Sequence, residues 1–228
     1  MSKSIQHIFS VLFLFSASFL VAQSDFEDDA ALWLNFYFEK KITDNIDAHV
    51  EFKNRFNNNV SDYRLGALFG GFSYSVNKYI KAEAEYGWGK SRNLNGTYGN
   101  RHRGNFSLTF KKKFGSLAIS YRNMFQLRMR DVYTSENGTV PVYMNRNKLT
   151  LKYEINKRIT AYVYEEVYLP FYQVRNKGLS RSRSAAGVEY NLTKKITLEG
   201  YFLLQHELNA FNKTNRDFIY GLTYAHKF

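Results

Sequence analysis

The sequence predicts an all-β fold: a single antiparallel transmembrane β-barrel of about ten to twelve strands, following a signal peptide. Three observations point there. The first is the final strand, where Phe218, Tyr220, Leu222, Tyr224, His226 and Phe228 share one face, while Asp217, Gly221, Thr223, Ala225 and Lys227 occupy the other together with Ile219. A strand that faces lipid needs such an apolar, aromatic outer side, and the last strand must also close the sheet against the first. The second is a hairpin rhythm set by five short polar turns, at 40–45, 76–79, 111–115, 155–158 and 191–195. Each interval between them holds two strands of roughly ten residues and one longer connection, the repeat unit of an up-and-down barrel. The third is composition: 18% of residues are aromatic, with 18 Tyr and 20 Phe, yet mean hydropathy is only −0.45. Beyond the N-terminal segment no long apolar run occurs, which excludes a bundle of membrane helices. Barrel strands place apolar residues at alternate positions and so average out as hydrophilic.

In chain order, Lys3 followed by the apolar run Ile8–Val21 reads as a secretory signal. The run is short of the roughly 20 residues that a helical span needs. Cleavage is expected near Ala22-Gln23, giving a signal peptide over 1–22 and a barrel over 23–228. The chain has no Cys, so neither a lipidated cysteine nor a disulfide is available.

Period-2 alternation then marks the strands. Ile46, Ala48, Val50 and Phe52 alternate with Asp47, His49, Glu51 and Lys53; Ile80, Ala82, Ala84, Tyr86 and Trp88 alternate with Lys81, Glu83, Glu85 and Gly87. Similar patterns cover Phe106–Phe110, Ile119–Leu127 (with Asn123 out of pattern), Leu149–Tyr153 and Ile196–Leu204. The expected strands are 31–39, 46–57, 63–75, 80–89, 101–110, 116–130, 145–154, 159–168, 181–190, 196–208 and 217–228. Long polar connections are expected near 57–62, 90–100, 131–144, 169–180 and 209–216. This tally is odd, whereas single-chain bacterial barrels have even strand numbers with both ends in the periplasm. Either a short first strand lies in 23–30 or one of these segments is not a lipid-facing strand, so ten or twelve strands are expected, with twelve preferred. The acidic residues Asp25, Glu27, Asp28 and Asp29 suit a lipid-facing strand poorly.

Several segments resemble a family of exported barrels, the domain of unknown function 2490. They are Trp33 with Glu39-Lys40-Lys41-Ile42, the turn Tyr74-Ser75-Val76-Asn77-Lys78-Tyr79, Asn100-Arg101-His102-Arg103, Arg146-Asn147-Lys148-Leu149, and Tyr162-Val163-Tyr164-Glu165-Glu166. The resemblance spans nearly the whole mature chain and implies an outer-membrane barrel. It implies no activity.

The formal net charge of +12 suggests anionic partners. For a barrel exported to the outer membrane of a Gram-negative bacterium these are lipopolysaccharide and small anions, not nucleic acid; outer-membrane lipid and barrel-assembly machinery complete the expected partners. No catalytic, metal or cofactor residues are assigned. His102 and Ser107 differ in parity and so fall on opposite faces; His49, His206 and His226 read as lumen or interfacial histidines. Glu51, Glu83, Glu85 and Glu166 read as lumen salt-bridge partners. The candidate functional constellation is a basic lumen mouth at the long-loop end: Lys53, Arg55, Arg101, Arg103, Arg128, Arg130, Arg146, Lys148, Arg181 and Arg183. Three readings compete: a narrow anion-preferring channel for small solutes, a closed structural or surface-interaction barrel, and, less favoured, a lipid-modifying membrane enzyme.

Overall fold

A computed structural model describes residues 26–92, 96–129, 142–171, 179–208 and 214–228. The signal segment 1–22, Arg130 and residues 131–141 of the connection expected at 131–144 lie outside the described residues. Among these residues eleven strands form one closed barrel. They are β1 Phe26–Lys41, β2 Ile46–Asn57, β3 Asp62–Ser75, β4 Ile80–Arg92, β5 Tyr98–Phe114, β6 Leu117–Met129, β7 Val142–Glu154, β8 Ile159–Phe171, β9 Arg181–Asn191, β10 Ile196–Leu208 and β11 Thr214–Lys227.

The direct count is therefore right and the preference for twelve is not. Residues 26–30 do not form an extra strand; they extend β1. Successive strands alternate in direction, so an odd number leaves the first and last running the same way. β1 and β11 accordingly pair in parallel, from Phe26↔Thr214 to Glu39↔Lys227. A parallel ladder is hydrogen-bonded along its length, as an antiparallel one is, and it closes the sheet.

The expected alternation holds. Phe36, Phe52, Phe72, Tyr86, Phe106, Phe125, Leu149, Phe202, Tyr220 and Leu222 are exposed on the outer surface, which is the belt a membrane-spanning barrel presents to lipid. One arc of this belt is polar. On β6–β9, Asn123, Asn145, Asn147, Glu165 and Ser184 point outward. Asn123 Nδ2 donates to Asn145 Oδ1 (3.2 Å) and Asn147 Oδ1 (2.9 Å), and Ser184 Oγ donates to Glu165 Oε2 (2.5 Å). These mutual bonds lower the cost of polar groups in hydrocarbon, and they account for the irregular Asn123.

Inside, Ala31, Trp33, Tyr162, Tyr164, Ala185, Leu203 and Ile219 form an apolar cluster against which Tyr201 packs. Gly221 makes this possible: a Cβ there would lie 1.9 Å from Cζ of Tyr201, so only glycine lets that ring lie flat on β11. The five short turns are all present. The connection expected near 57–62 proves tight, not long: Asn58, Asn59 and Val60 take positive φ of 55°, 53° and 66°. Asp29 holds this unusual run by accepting from the backbone N–H of Asn58 (3.0 Å) and Asn59 (2.8 Å), which offsets the strain of a left-handed β-branched residue.

Candidate functional site: a two-walled charged lumen

A cavity of about 290 Å³ lies in the lumen. Of the predicted basic mouth, Lys53, Arg55, Arg103, Arg128, Arg146, Arg181 and Arg183 line it. Lys148 is also inward but lies over the Tyr164 ring, 3.5 Å from its centre. Arg101 sits higher on β5, where its Nη1 donates to the Asn100 carbonyl (2.9 Å). Arg130 falls outside the described residues.

The lumen charges divide into two walls because β2 and β4 carry the acids Glu51, Glu83 and Glu85 at inward positions while β5, β6, β7 and β9 carry arginines; β2 adds Lys53 and Arg55 beyond its acids. On the basic wall, Glu166 of β8 is the hub. Its carboxylate accepts from Arg122 (2.8 Å) and twice from Arg146 Nη2 (2.9 Å each), takes the Tyr168 hydroxyl hydrogen (2.9 Å) and faces Arg183 at 3.8 Å. Arg183 also donates through Nε to Gln205 (2.7 Å), and Arg181 pairs with Glu207 (2.6 Å).

Three guanidinium groups are different. Arg55, Arg103 and Arg128 line the cavity without a carboxylate partner among the described residues, and the Arg55 Nε is buried without a hydrogen bond. Arg103 and Arg128 stand directly opposite each other on β5 and β6, and Arg103 is repelled by Arg55, Arg128 and Arg146 together. Aromatic faces partly compensate: Arg55 lies 3.9 Å from the Trp33 ring centre and Arg103 5.6 Å from that of Phe69.

On the acidic wall, His49 Nε2 lies 3.5 Å from Glu85 Oε2, and Asn105 donates to Glu85 Oε1 (2.5 Å) while Gln126 donates to Asn105 (2.8 Å). Tyr37 stacks on the His49 ring with centroids 5.6 Å apart. Lys53 is held by Glu51 (2.8 Å). One side-chain ligand atom from each of His49, Glu83 and Glu85 lies within 4.8 Å of the other two, so among the described residues this is a set that could hold a cation.

Parity assigns the basic residues to the lumen side, and seven of them line the cavity. It missed the aromatic side of the lumen. Trp33, Tyr37, Phe69, Tyr162, Tyr164 and Tyr168 point inward, although aromatics were expected chiefly on the outer girdles. The signal was present on β8, where Tyr162, Tyr164, Glu166 and Tyr168 share a parity with the buried charge. His102 and Ser107 do fall on opposite faces: Ser107 is buried inside, while His102 turns outward to the Tyr86 hydroxyl (2.5 Å).

A closed barrel with an apolar belt and a polar interior defines the class: a transmembrane β-barrel. Its sequence matches the family described as a protein of unknown function (DUF2490) over residues 30–216, and the chain belongs to that family. A comparison with curated protein sequences finds no match. Among solved structures it is similar to a bacterial polysaccharide outer membrane secretin, with 5% identity and TM-score 0.53, over 78% of this chain and 63% of that one. It is also similar to the β domain of the Bordetella autotransporter BrkA, with 13% identity and TM-score 0.53, over 82% and 86%. The NanC porin aligns at 12% identity with TM-score 0.48, over 82% and 90%. At these identities the likeness concerns the fold.

Proposed function

We propose that this protein is an outer-membrane barrel whose lumen provides a narrow, anion-preferring path for small solutes. The observation that carries the reading is the trio Arg55, Arg103 and Arg128, which line one cavity and lack a carboxylate partner among the described residues. Charge rings at a constriction select ions by attraction, and uncompensated guanidinium groups supply that attraction. Paired arginines such as Arg146 contribute far less. A barrel of eight strands is filled by its own side chains and one of 16 to 18 leaves an open channel; eleven strands fit a narrow bore. In this reading the partners are outer-membrane lipid and small anions, and the protein is not an enzyme. The second reading, a closed structural barrel, is favoured by the Trp33–Tyr162–Leu203–Ile219 cluster and the Glu166 hub, which occupy part of the interior.

Planar-bilayer reversal potentials across a KCl gradient test the proposal. Chloride should be preferred at about 0.1 M salt and much less at about 1 M, because the screening length falls from about 10 to about 3 Å. Replacing Arg55, Arg103 and Arg128 together by Gln should remove most of the preference. Cation selectivity in the unmodified protein overturns the reading. Folded protein without conductance overturns it too, in favour of the closed barrel.

A further inference from the structure

We propose that His49, Glu83 and Glu85 form a binding site for a divalent transition-metal cation of the zinc type on the β2–β4 wall of the lumen. The proposal is independent of whether the lumen conducts.

The site is assembled by strand register. On β3, Gly71 lies opposite both His49 of β2 and Glu85 of β4, and Ser73 lies opposite both Asp47 and Glu83. His49 would normally be separated from Glu85 by a whole strand. It reaches across because position 71 has no side chain: a Cβ there would meet the Ala84 carbonyl oxygen at 2.4 Å and His49 Cε1 at 3.0 Å. The imidazole thus crosses β3 and meets two carboxylates from β4, with one ligand atom from each residue within 4.8 Å of the other two.

Three polar groups in this square are unsatisfied. His49 Nδ1 and Ser73 Oγ are buried and make no hydrogen bond. The Glu83 carboxylate has neither an ion pair nor a side-chain hydrogen bond among the described residues, although cationic side chains abound in the same lumen. The nearby lysines are engaged elsewhere: Lys53 is on Glu51 (2.8 Å) and Lys81 is on Asp47 (3.7 Å) and Glu39 (4.0 Å). Buried polar groups in folded proteins are rarely left without partners, and two carboxylates side by side repel unless a cation lies between them. A dication would satisfy both acids at once.

The donor set indicates the kind of ion. One imidazole and two carboxylates suit zinc and its first-row neighbours, whereas calcium and magnesium favour all-oxygen shells. The supporting contacts are those expected around a metal site: Asn105 and Gln126 fix Glu85 in sequence, and Tyr37 stacks on the His49 ring. The site faces the cavity, so an ion in the lumen has access to it.

The test is titration of tag-free, detergent-folded barrel with Zn²⁺ by calorimetry, and with Co²⁺ by visible absorption. One equivalent should bind, and the Co²⁺ complex should show the bands of nitrogen–oxygen coordination. Glu83→Gln and His49→Ala should each weaken binding by at least about tenfold. Glu83 has no partner among the described residues to lose, so its variant should fold, and its altered gel mobility on boiling confirms that. His226→Gln, at a half-buried histidine on the outer face of β11 where it stacks on Phe228, should bind as the unmodified protein does. Absence of saturable binding, or binding by Glu83→Gln and His49→Ala as tight as that of the unmodified protein, overturns the proposal. So does loss of binding in His226→Gln.

Discussion

On β8 the carboxylate of Glu166 receives two arginines and a tyrosine hydroxyl and faces a third arginine, whereas on β4 the carboxylate of Glu83 has no partner among the described residues. Both are inward: Glu83 lines the cavity, and Glu166 lies behind Arg122, Arg146 and Arg183, which line it. The difference teaches which lumen charges build the barrel and which remain available to a ligand. A buried charge surrounded by counter-charges is structural: removing it strands its partners. A charge without partners is costly in the resting protein, and that cost is lowered whenever a solute supplies the missing counter-charge.

The largest expected effect therefore follows Glu166→Gln. Its side chain is 3% exposed, and the change leaves Arg122, Arg146 and Arg183 with much of their charge uncompensated. Breaking a buried ion pair from one side costs about 3–5 kcal/mol. Urea unfolding of the lipid-embedded barrel, followed by tryptophan fluorescence, should show a loss of that order. A loss below about 1 kcal/mol would mean that lumen water screens this hub, and the division between structural and available charge would then fail.

Next in size is a comparison between the outer belt and the lumen. Leu222 is 57% exposed on the outer face, while Thr223 points inward, its Oγ1 accepting from Asn35 Nδ2 at 3.4 Å. Leu222→Arg should cost about 2–4 kcal/mol near the bilayer midplane. Thr223→Arg should cost clearly less, because a charge there reaches a polar interior. Equal losses in the same unfolding measurement would show that the inward and outward faces of β11 are not distinguished by lipid.

Much of this organisation was legible in the sequence, because the barrel imposes a period of two on every strand. The turn residues around Asn77, Asn156 and Thr193 announce their hairpins by capping their own backbone: Asn77 Oδ1 accepts from Tyr79 N (2.8 Å), Asn156 Oδ1 from Arg158 N (2.8 Å) and Thr193 Oγ1 from Ile196 N (3.0 Å). The basic wall was legible for the same reason, since parity alone puts Arg103, Arg128, Arg146 and Arg183 inside. Strand number was not decided by parity, because closure depends on whether β1 and β11 can pair in parallel, and no local pattern encodes that. The His49–Glu83–Glu85 grouping was hidden for a similar reason. It depends on a glycine, Gly71, on the strand between its members, and that contact exists only once register is fixed. The separation of paired from unpaired arginines was equally invisible: Arg103 and Arg146 look alike in sequence and differ only in their cross-strand neighbours.

The smallest expected effect is the sharpest test of the comparison. Arg103 and Arg128 stand directly opposite on adjacent strands, and like charges in that position destabilise a sheet, with cross-strand pair terms of roughly 0.2–1 kcal/mol. Replacing Arg128 by Gln relieves this repulsion while keeping a side chain of similar reach. Stability should therefore stay unchanged or rise by up to about 1 kcal/mol, the opposite sign to Glu166→Gln. The same variant should lose part of the chloride preference, since one of three unpaired guanidinium groups is gone. Stability and selectivity would then move in opposite directions in one protein, as expected if Arg128 is retained for a ligand and not for the fold. A loss of stability comparable with that of Glu166→Gln would instead assign Arg128 to the structural network, and the contrast between the paired and unpaired lumen charges would disappear.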